Sequence, residues 1–265
     1  MTIPERLKMF EGKSHWVLIF LLCVLSLFTL MIGNDGISLT HPDEVVYVQT
    51  AKEMMAYHTW LVPYLFDQPQ FEKPIATYWF LILSMKAFGQ TAFAARLVPS
   101  ACGFLGVLLT YWLAFFIFRR KTIAFLSGFI LTTSFIWVAL SRSVLTDMVF
   151  SFWVVLSIAC FYYGYLYQER KTLALILCGF FSGVAVLTKG ALGVVFPFGI
   201  IAGYLIYRRD LKFLKCYASL FAVLIFILIA LPWHMYIYNQ FGKSFLDEYW
   251  KNDHIRRIFE AEHQK

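Results

Sequence analysis

Four acids, two lysines and a histidine are the residues of this chain whose types and spacing could do chemistry. Asp43 and Glu44 stand side by side in HPDE. Glu72 adjoins Lys73 in FEKP, Asp147 lies in LTDMVF, Lys189 in LTKG and His254 in DHIRR. A carboxylate can take a proton from an incoming hydroxyl or amine. A lysine ammonium meets a phosphate as a mobile point charge. Together they describe a wet pocket with carboxylates and amines at its rim. That suits group transfer, glycosyl transfer included, and suits ion or solute transport equally well.

Each residue also has a structural role open to it. Thr40-His41-Pro42-Asp43 reads as a helix start, with Thr40 as cap and Asp43 completing a capping box. Glu44 then favours the positive end of the same helix. Asp147, bordered by apolar residues, is costly unless paired, hydrated or functional, and Arg142 is the partner nearest in sequence. Glu72 and Lys73 could be a solvated pair, and Lys189 could snorkel from a helix end. His234 and His254 are lone histidines, more often structural than ligands.

The elements that must position these groups are apolar helices. Of 265 residues, 60% are hydrophobic and 15% charged, against about 45–50% and 25% in soluble domains. Seven runs approach or exceed the roughly 18 residues that cross a bilayer: 16–32, 97–118, 123–140, 148–167, 173–187, 192–207 and 213–233. The first follows Arg6, Lys8 and Lys13, but is longer than a signal-peptide core and has no Ala-x-Ala site, so it reads as a retained span. Cys23, Cys102, Cys160, Cys178 and Cys216 lie in or beside these runs without metal-ligand spacing and read as small buried hydrophobes. Gly179-x-x-x-Gly183 and Gly199-x-x-x-Gly203 are weak helix-packing signatures. The fold class is all-α, a polytopic transmembrane helical bundle.

Charge orients it. The N-terminus and the connections at 119–121, 169–171 and 208–215 carry 12 Lys/Arg and 4 Asp/Glu, leaving 11 and 12 on the other side. The positive-inside rule makes the N-terminus cytoplasmic. The net charge of +7 then reflects topology, with no nucleic acid among the partners. Residues 34–96 form the first outer loop and 234–265 an outer tail, all within one membrane domain, 1–265. The loop carries two interfacial helices, Pro42 to about Met55 and Ile75 to Phe88 ending at Gly89. Trp60, Tyr64, Tyr78 and Trp79 suit the headgroup boundary.

The ordered set His41-Pro42-Asp43-Glu44, Tyr47, Phe71-Glu72-Lys73-Pro74, Tyr78-Trp79, Ala95-Arg96, Leu145-Thr146-Asp147 and Leu187-Thr188-Lys189-Gly190 resembles the bacterial aminoarabinose transferases of lipid A. These belong to the membrane glycosyltransferases that use polyprenyl-phosphate sugars, which include the protein O-mannosyltransferases. The resemblance implies a GT-C type bundle in the bacterial inner membrane with a periplasmic active site. It implies transfer of a sugar, 4-amino-4-deoxy-L-arabinose among the candidates, from undecaprenyl phosphate to lipid A or another envelope glycan. The alternatives are a protein or general mannosyltransferase, or a lipid-linked-sugar transporter component or inactive fragment.

By motif it implies Asp43 and Asp147 as catalytic acids. Lys73 and Tyr47 would hold the donor phosphate, with Glu44 and Lys189 also at the substrate. Glu72 and His254 would be a pair for a divalent metal ion, and no nucleotide cofactor is implied. Two departures stand out. Val46 occupies the place where those transferases carry an arginine before the tyrosine, and the chain ends where relatives run into further spans, so it resembles their N-terminal half.

Overall fold

The computed structural model describes residues 13–36, 38–39 and 41–249. Its helices are α1 (Lys13–Leu30), α2 (Pro42–Ala56), α3 (Ala76–Phe88), α4 (Ala92–Phe118), α5 (Lys121–Thr133), α6 (Phe135–Ser141), α7 (Thr146–Leu166), α8 (Lys171–Lys189), α9 (Leu192–Tyr207) and α10 (Tyr217–Phe241). The all-α membrane bundle is thus the fold found. Among the described residues, α4, α7, α8 and α10 are long and apolar enough to cross a membrane, and the α5–α6 pair makes a fifth if it counts as one span. α1 and α9 are apolar but shorter in their described parts.

The third apolar run, expected as one span from 123 to 140, is instead two helices bent by 63° at Ser134. Three hydroxyl residues, Thr132-Thr133-Ser134, stand at the break. Thr133 Oγ1 bonds back to Phe129 O at 2.9 Å and Thr132 bonds Ser26 of α1 at 3.0 Å. Such side-chain bonds compete with the helix ladder and bend it. α10 begins later than expected, at Tyr217, and continues past Trp233 to Phe241. There His234 bonds the Ala230 carbonyl at 2.7 Å and Tyr249 at 3.0 Å, a structural role.

The helices expected in the first loop are present. α2 starts at Pro42, where a missing N–H costs nothing. Its cap differs from expectation: His41 Nδ1 accepts from Asp43 N at 3.2 Å, and Thr40 lies outside the described residues. α3 ends at Gly89, whose φ of +81° favours glycine. Between them, unexpected, is a two-residue hairpin pairing Tyr64–Leu65 antiparallel with Gln68–Pro69. Phe66 and Asp67 both take positive φ at its tip, the geometry that suits strand twist in a tight hairpin. Glu53 of α2 accepts both tip N–H groups, at 3.1 and 3.2 Å. The loop then folds onto the ends of the spans, as Phe71, Ile75 and Tyr78 share one core with Val144, Leu187 and Trp233. Tyr78, expected at the headgroup boundary, is buried there, its ring 6.2 Å from that of Tyr47.

The two glycine signatures differ in meaning. A Cβ at Gly179 would lie 2.1 Å from the Ala222 carbonyl of α10, and one at Gly183 would lie 2.8 Å from Ile229. Gly199 and Gly203 face open space, so that pair is no packing seam among the described residues. Gly179→Val is expected to destabilise the protein by about 1–3 kcal/mol, the cost of overpacking. Gly199→Ala should change nothing measurable; thermal unfolding of both variants in detergent checks this.

Candidate functional site

The site is assembled on a buried polar junction. Arg96, near the start of α4, pairs with Glu44 of α2 through Nε–Oε1 and Nη2–Oε2 contacts, both 3.2 Å. It also donates to the carbonyls of Asn34 and Ser38, each at 3.0 Å. Glu44 further accepts from the Val144 N–H at 2.9 Å. One ion pair thus ties together the exit of α1, the first turn of α2, the base of α4 and the approach to α7. Ser100 strengthens the junction, bonding the carbonyls of Leu30 at 3.0 Å and Ser141 at 2.8 Å.

Glu44 was expected at the substrate. It is only 3% exposed and both its oxygens are taken, so its place is structural: it fixes Asp43 beside it and Asp147 three residues beyond Val144. Burial opposes its ionisation, but the Arg96 guanidinium and the Val144 N–H outweigh that and hold its carboxyl below the ordinary carboxylate range. A depressed acid contributes stability above its unfolded pKa of about 4.3 and loses it as pH falls through the folded value. Glu44→Ala strands the arginine, and near neutral pH the expected loss is about 3–5 kcal/mol. The gap from wild type should narrow as pH drops below the carboxylate range, read by thermal unfolding across pH.

Tyr47 is the meeting point of the remaining acids. It lies one turn after Asp43 on α2, and is 8% exposed. Thr146, the first residue of α7, stands by its hydroxyl and partly offsets the effect of burial on it. Burial pushes its pKa up, with Asp43, Glu72 and Asp147 adding to the effect. Those three carboxylates, from three separate segments, therefore share one electrostatic neighbourhood around a phenol that stays protonated. Asp43 and Glu72 are both exposed, so their carboxylates face solvent. Lys73 is buried at 6% exposure, with its Nζ 3.3 Å from the Glu72 carbonyl.

Asp147 does not pair with Arg142, which instead donates to the Thr29 carbonyl at 3.0 Å. Its partner is Lys189, whose Nζ lies 2.5 Å from Oδ1. The acid sits at the start of α7 and the lysine at the end of α8, each on the dipole end that favours its charge. Lys189 is therefore engaged in the site and does not snorkel. Val46 is half-buried beside Tyr47 and brings no cation there.

Sequence reasoning overlooked Glu248. It lies just past α10, accepts from the Phe71 N–H at 2.7 Å, and so anchors the Phe71-Glu72-Lys73 turn. Burial raises its pKa, and the Glu72 charge raises it further. An acid pair, Asp247-Glu248, directly after a long apolar run was the available signal. His254, the expected partner of Glu72, lies outside the described residues. Among the described residues, no group of three or more His, Cys, Asp or Glu stands close enough to hold a metal ion.

Beside this acidic end runs an apolar cleft of about 510 Å³ between α3, α8 and α10. Its wall includes Ala76, three residues after Lys73, and Leu187, two before Lys189. The arrangement offers a solvent-facing base, a buried cation and an apolar channel at one edge of the membrane bundle.

Comparisons with known proteins agree with this architecture. The crystal structure of ArnT from Cupriavidus metallidurans bound to undecaprenyl phosphate superposes with a TM-score of 0.83 at 22% identity, over 92% of this chain and 45% of that one. Its apo form gives 0.80 at 24% identity, over 91% and 45%. The undecaprenyl phosphate-α-4-amino-4-deoxy-L-arabinose arabinosyl transferase of Photorhabdus laumondii is 31% identical over 85% of this chain and 41% of its own length. That of Enterobacter sp. is 32% identical over 86% and 41%. The chain thus spans less than half the length of the curated relatives it matches. A model of one family covers residues 16–245, the membrane bundle and the acidic site together. The chain belongs to the dolichyl-phosphate-mannose-protein mannosyltransferase family.

Proposed function

We infer that the chain carries the acidic site of a membrane glycosyltransferase moving a sugar from undecaprenyl phosphate to an envelope acceptor. The supporting observation is that the charges of Asp43, Glu72 and Asp147 all act on Tyr47, with Lys73 next to Glu72 and Lys189 paired with Asp147. Relatives named as undecaprenyl phosphate-aminoarabinose arabinosyl transferases favour 4-amino-4-deoxy-L-arabinose as the sugar, and the resemblance of the motifs favours lipid A as the acceptor. The family description supports a second reading, mannosyl transfer to protein.

In this reading Asp43 takes the proton of the acceptor hydroxyl as that oxygen attacks the anomeric carbon. The bond from that carbon to the phosphate oxygen breaks in the same displacement, and undecaprenyl phosphate leaves with the electron pair. Lys73 and the protonated Tyr47 meet the growing negative charge, as preformed donors cost no reorganisation at that moment. Asp147, fixed by Lys189, orients the sugar from the opposite segment. The apolar cleft beside Lys73 takes the polyprenyl tail. Glu72 and Glu248 offer two hard oxygen donors, with His254 as the expected third ligand. A divalent ion bound there would neutralise phosphate charge.

The membrane is the bacterial inner membrane, with the acidic end periplasmic and the N-terminus cytoplasmic. The test offers undecaprenyl-phosphate aminoarabinose and polyprenyl-phosphate mannose in parallel to protein in liposomes, with lipid A and a peptide as acceptors. Aminoarabinose on lipid A is the expected product. Mannose on peptide alone would replace the first reading with the second, and donor crossing the bilayer without product would replace both with transport.

A further inference from the structure

At the end of the bundle away from the acidic site, α4, α7 and α8 enclose a second apolar cleft, of about 470 Å³. Leu156, Ala159 and Tyr163 of α7 form its floor; Trp112 and Phe116 of α4 and Leu173 of α8 stand along its sides. From Leu156 to Leu166 the floor extends about 15 Å at the helical rise. Almost all of its lining is apolar, and it opens toward the surroundings of the bundle.

Its mouth is cationic. Arg170 is exposed and lines the cleft directly. Arg119 ends α4 at φ +57°, with its guanidinium 5.8 Å from the centre of the Phe116 ring. That ring in turn lies 6.1 Å from Tyr163 and 6.3 Å from Tyr167, so both arginines flank one aromatic patch. Nη1 of Arg119 is buried and has no hydrogen-bond partner among the described residues. A buried guanidinium N–H without an acceptor is costly, and an anionic oxygen is its strongest partner. Arg120 and Lys121 add positive charge at this end, Lys171 is occupied by the Phe213 carbonyl at 2.6 Å, and Glu169 is the neighbouring acid.

We propose that this cleft binds an anionic glycerophospholipid, with its phosphate on Arg119 and Arg170 and one acyl chain along α7. Basic pockets between membrane helices recognise acidic headgroups in this way. The bound lipid braces α4 and α8, whose far ends carry Arg96 and Lys189. The inference stands on the cleft and its arginines and does not depend on the reaction assigned to the acidic site.

The test is native mass spectrometry of the full chain in neutral detergent, titrated with phosphatidylglycerol or phosphatidylcholine, alongside thermal unfolding. Phosphatidylglycerol should be retained and should raise the melting temperature, while phosphatidylcholine does neither. The Arg119→Gln/Arg170→Gln double variant should weaken phosphatidylglycerol retention about 30-fold. Arg209→Gln, a charge change at the same end on a residue that neither lines the cleft nor stands over its Phe116 ring, should retain it as wild type does. Ala159→Trp should abolish retention by filling the floor, and the charge variants decide the matter if that one misfolds. Equal retention of phosphatidylcholine, or undiminished phosphatidylglycerol binding by the double variant, would overturn the proposal. So would displacement of phosphatidylglycerol by undecaprenyl phosphate in a manner that requires both arginines.

Discussion

Asp43→Asn is expected to lower glycosyl transfer by about 10²–10⁴-fold, the usual contribution of a positioned general base, with donor binding and thermal stability unchanged. The substitution keeps the shape of the side chain and removes its negative charge and its basicity. Structural damage is not expected, because Asp43 is exposed and among the described residues its carboxylate takes part in no hydrogen bond of the junction. The helix cap is provided by His41 Nδ1 and the Asp43 backbone N–H, both untouched by the change. Binding of undecaprenyl phosphate to the variant, set beside its transfer rate, separates loss of the base from loss of the donor. A variant that transfers at the wild-type rate would remove Asp43 from the mechanism.

Lys73→Gln should also cost about 10²–10³-fold in transfer, the effect of removing one preorganised donor from a developing anion, but with a different signature. Lys73 is buried beside the solvent-facing Glu72, where a charge acts in a lower effective dielectric than in water. Its loss should weaken both the leaving-group stabilisation and the affinity for the lipid-linked phosphate. Undecaprenyl phosphate binding should therefore fall together with transfer, whereas for Asp43→Asn only transfer falls. Measuring the two quantities on both variants checks the division of labour. Glutamine preserves most of the side-chain volume, so Phe71 and Ile75 in the adjoining core should stay packed.

Much of this architecture could be read from the chain. Hydropathy located every long helix, and a capping pattern, proline and glycine located both helices of the first loop, because their signals are local. What remained hidden depends on distance or on competition. The break at Ser134 lies inside an apolar run, where hydropathy marks no boundary; Thr132 and Thr133 beside it find partners on α1 and on the helix itself. Asp147 has Arg142 close by in sequence, yet the fold brings Lys189 to it from the end of α8. Nothing in residue spacing could choose between those two cations.

The motif residues fared unevenly for the same reason. The charges of Asp43, Glu72 and Asp147 reach one phenol, that of Tyr47. Glu44, equally acidic and adjacent to Asp43, points into the junction with Arg96 because successive helix positions face different directions. Glu248 escaped notice because its partner is a backbone N–H at Phe71, which no side-chain pattern records. Gly179 and Gly199 head identical motifs, and only the neighbour across from each, Ala222 or open space, gives one of them meaning.

The central claim is that this chain holds a transfer site built around Asp43. The most direct measurement reconstitutes the chain and its Asp43→Asn variant in proteoliposomes and follows sugar from undecaprenyl-phosphate aminoarabinose to lipid A by mass spectrometry. Modified lipid A with the wild-type chain and none above background with the variant is the predicted result. Equal product from both, or none from a folded wild-type chain that binds the donor, would contradict it.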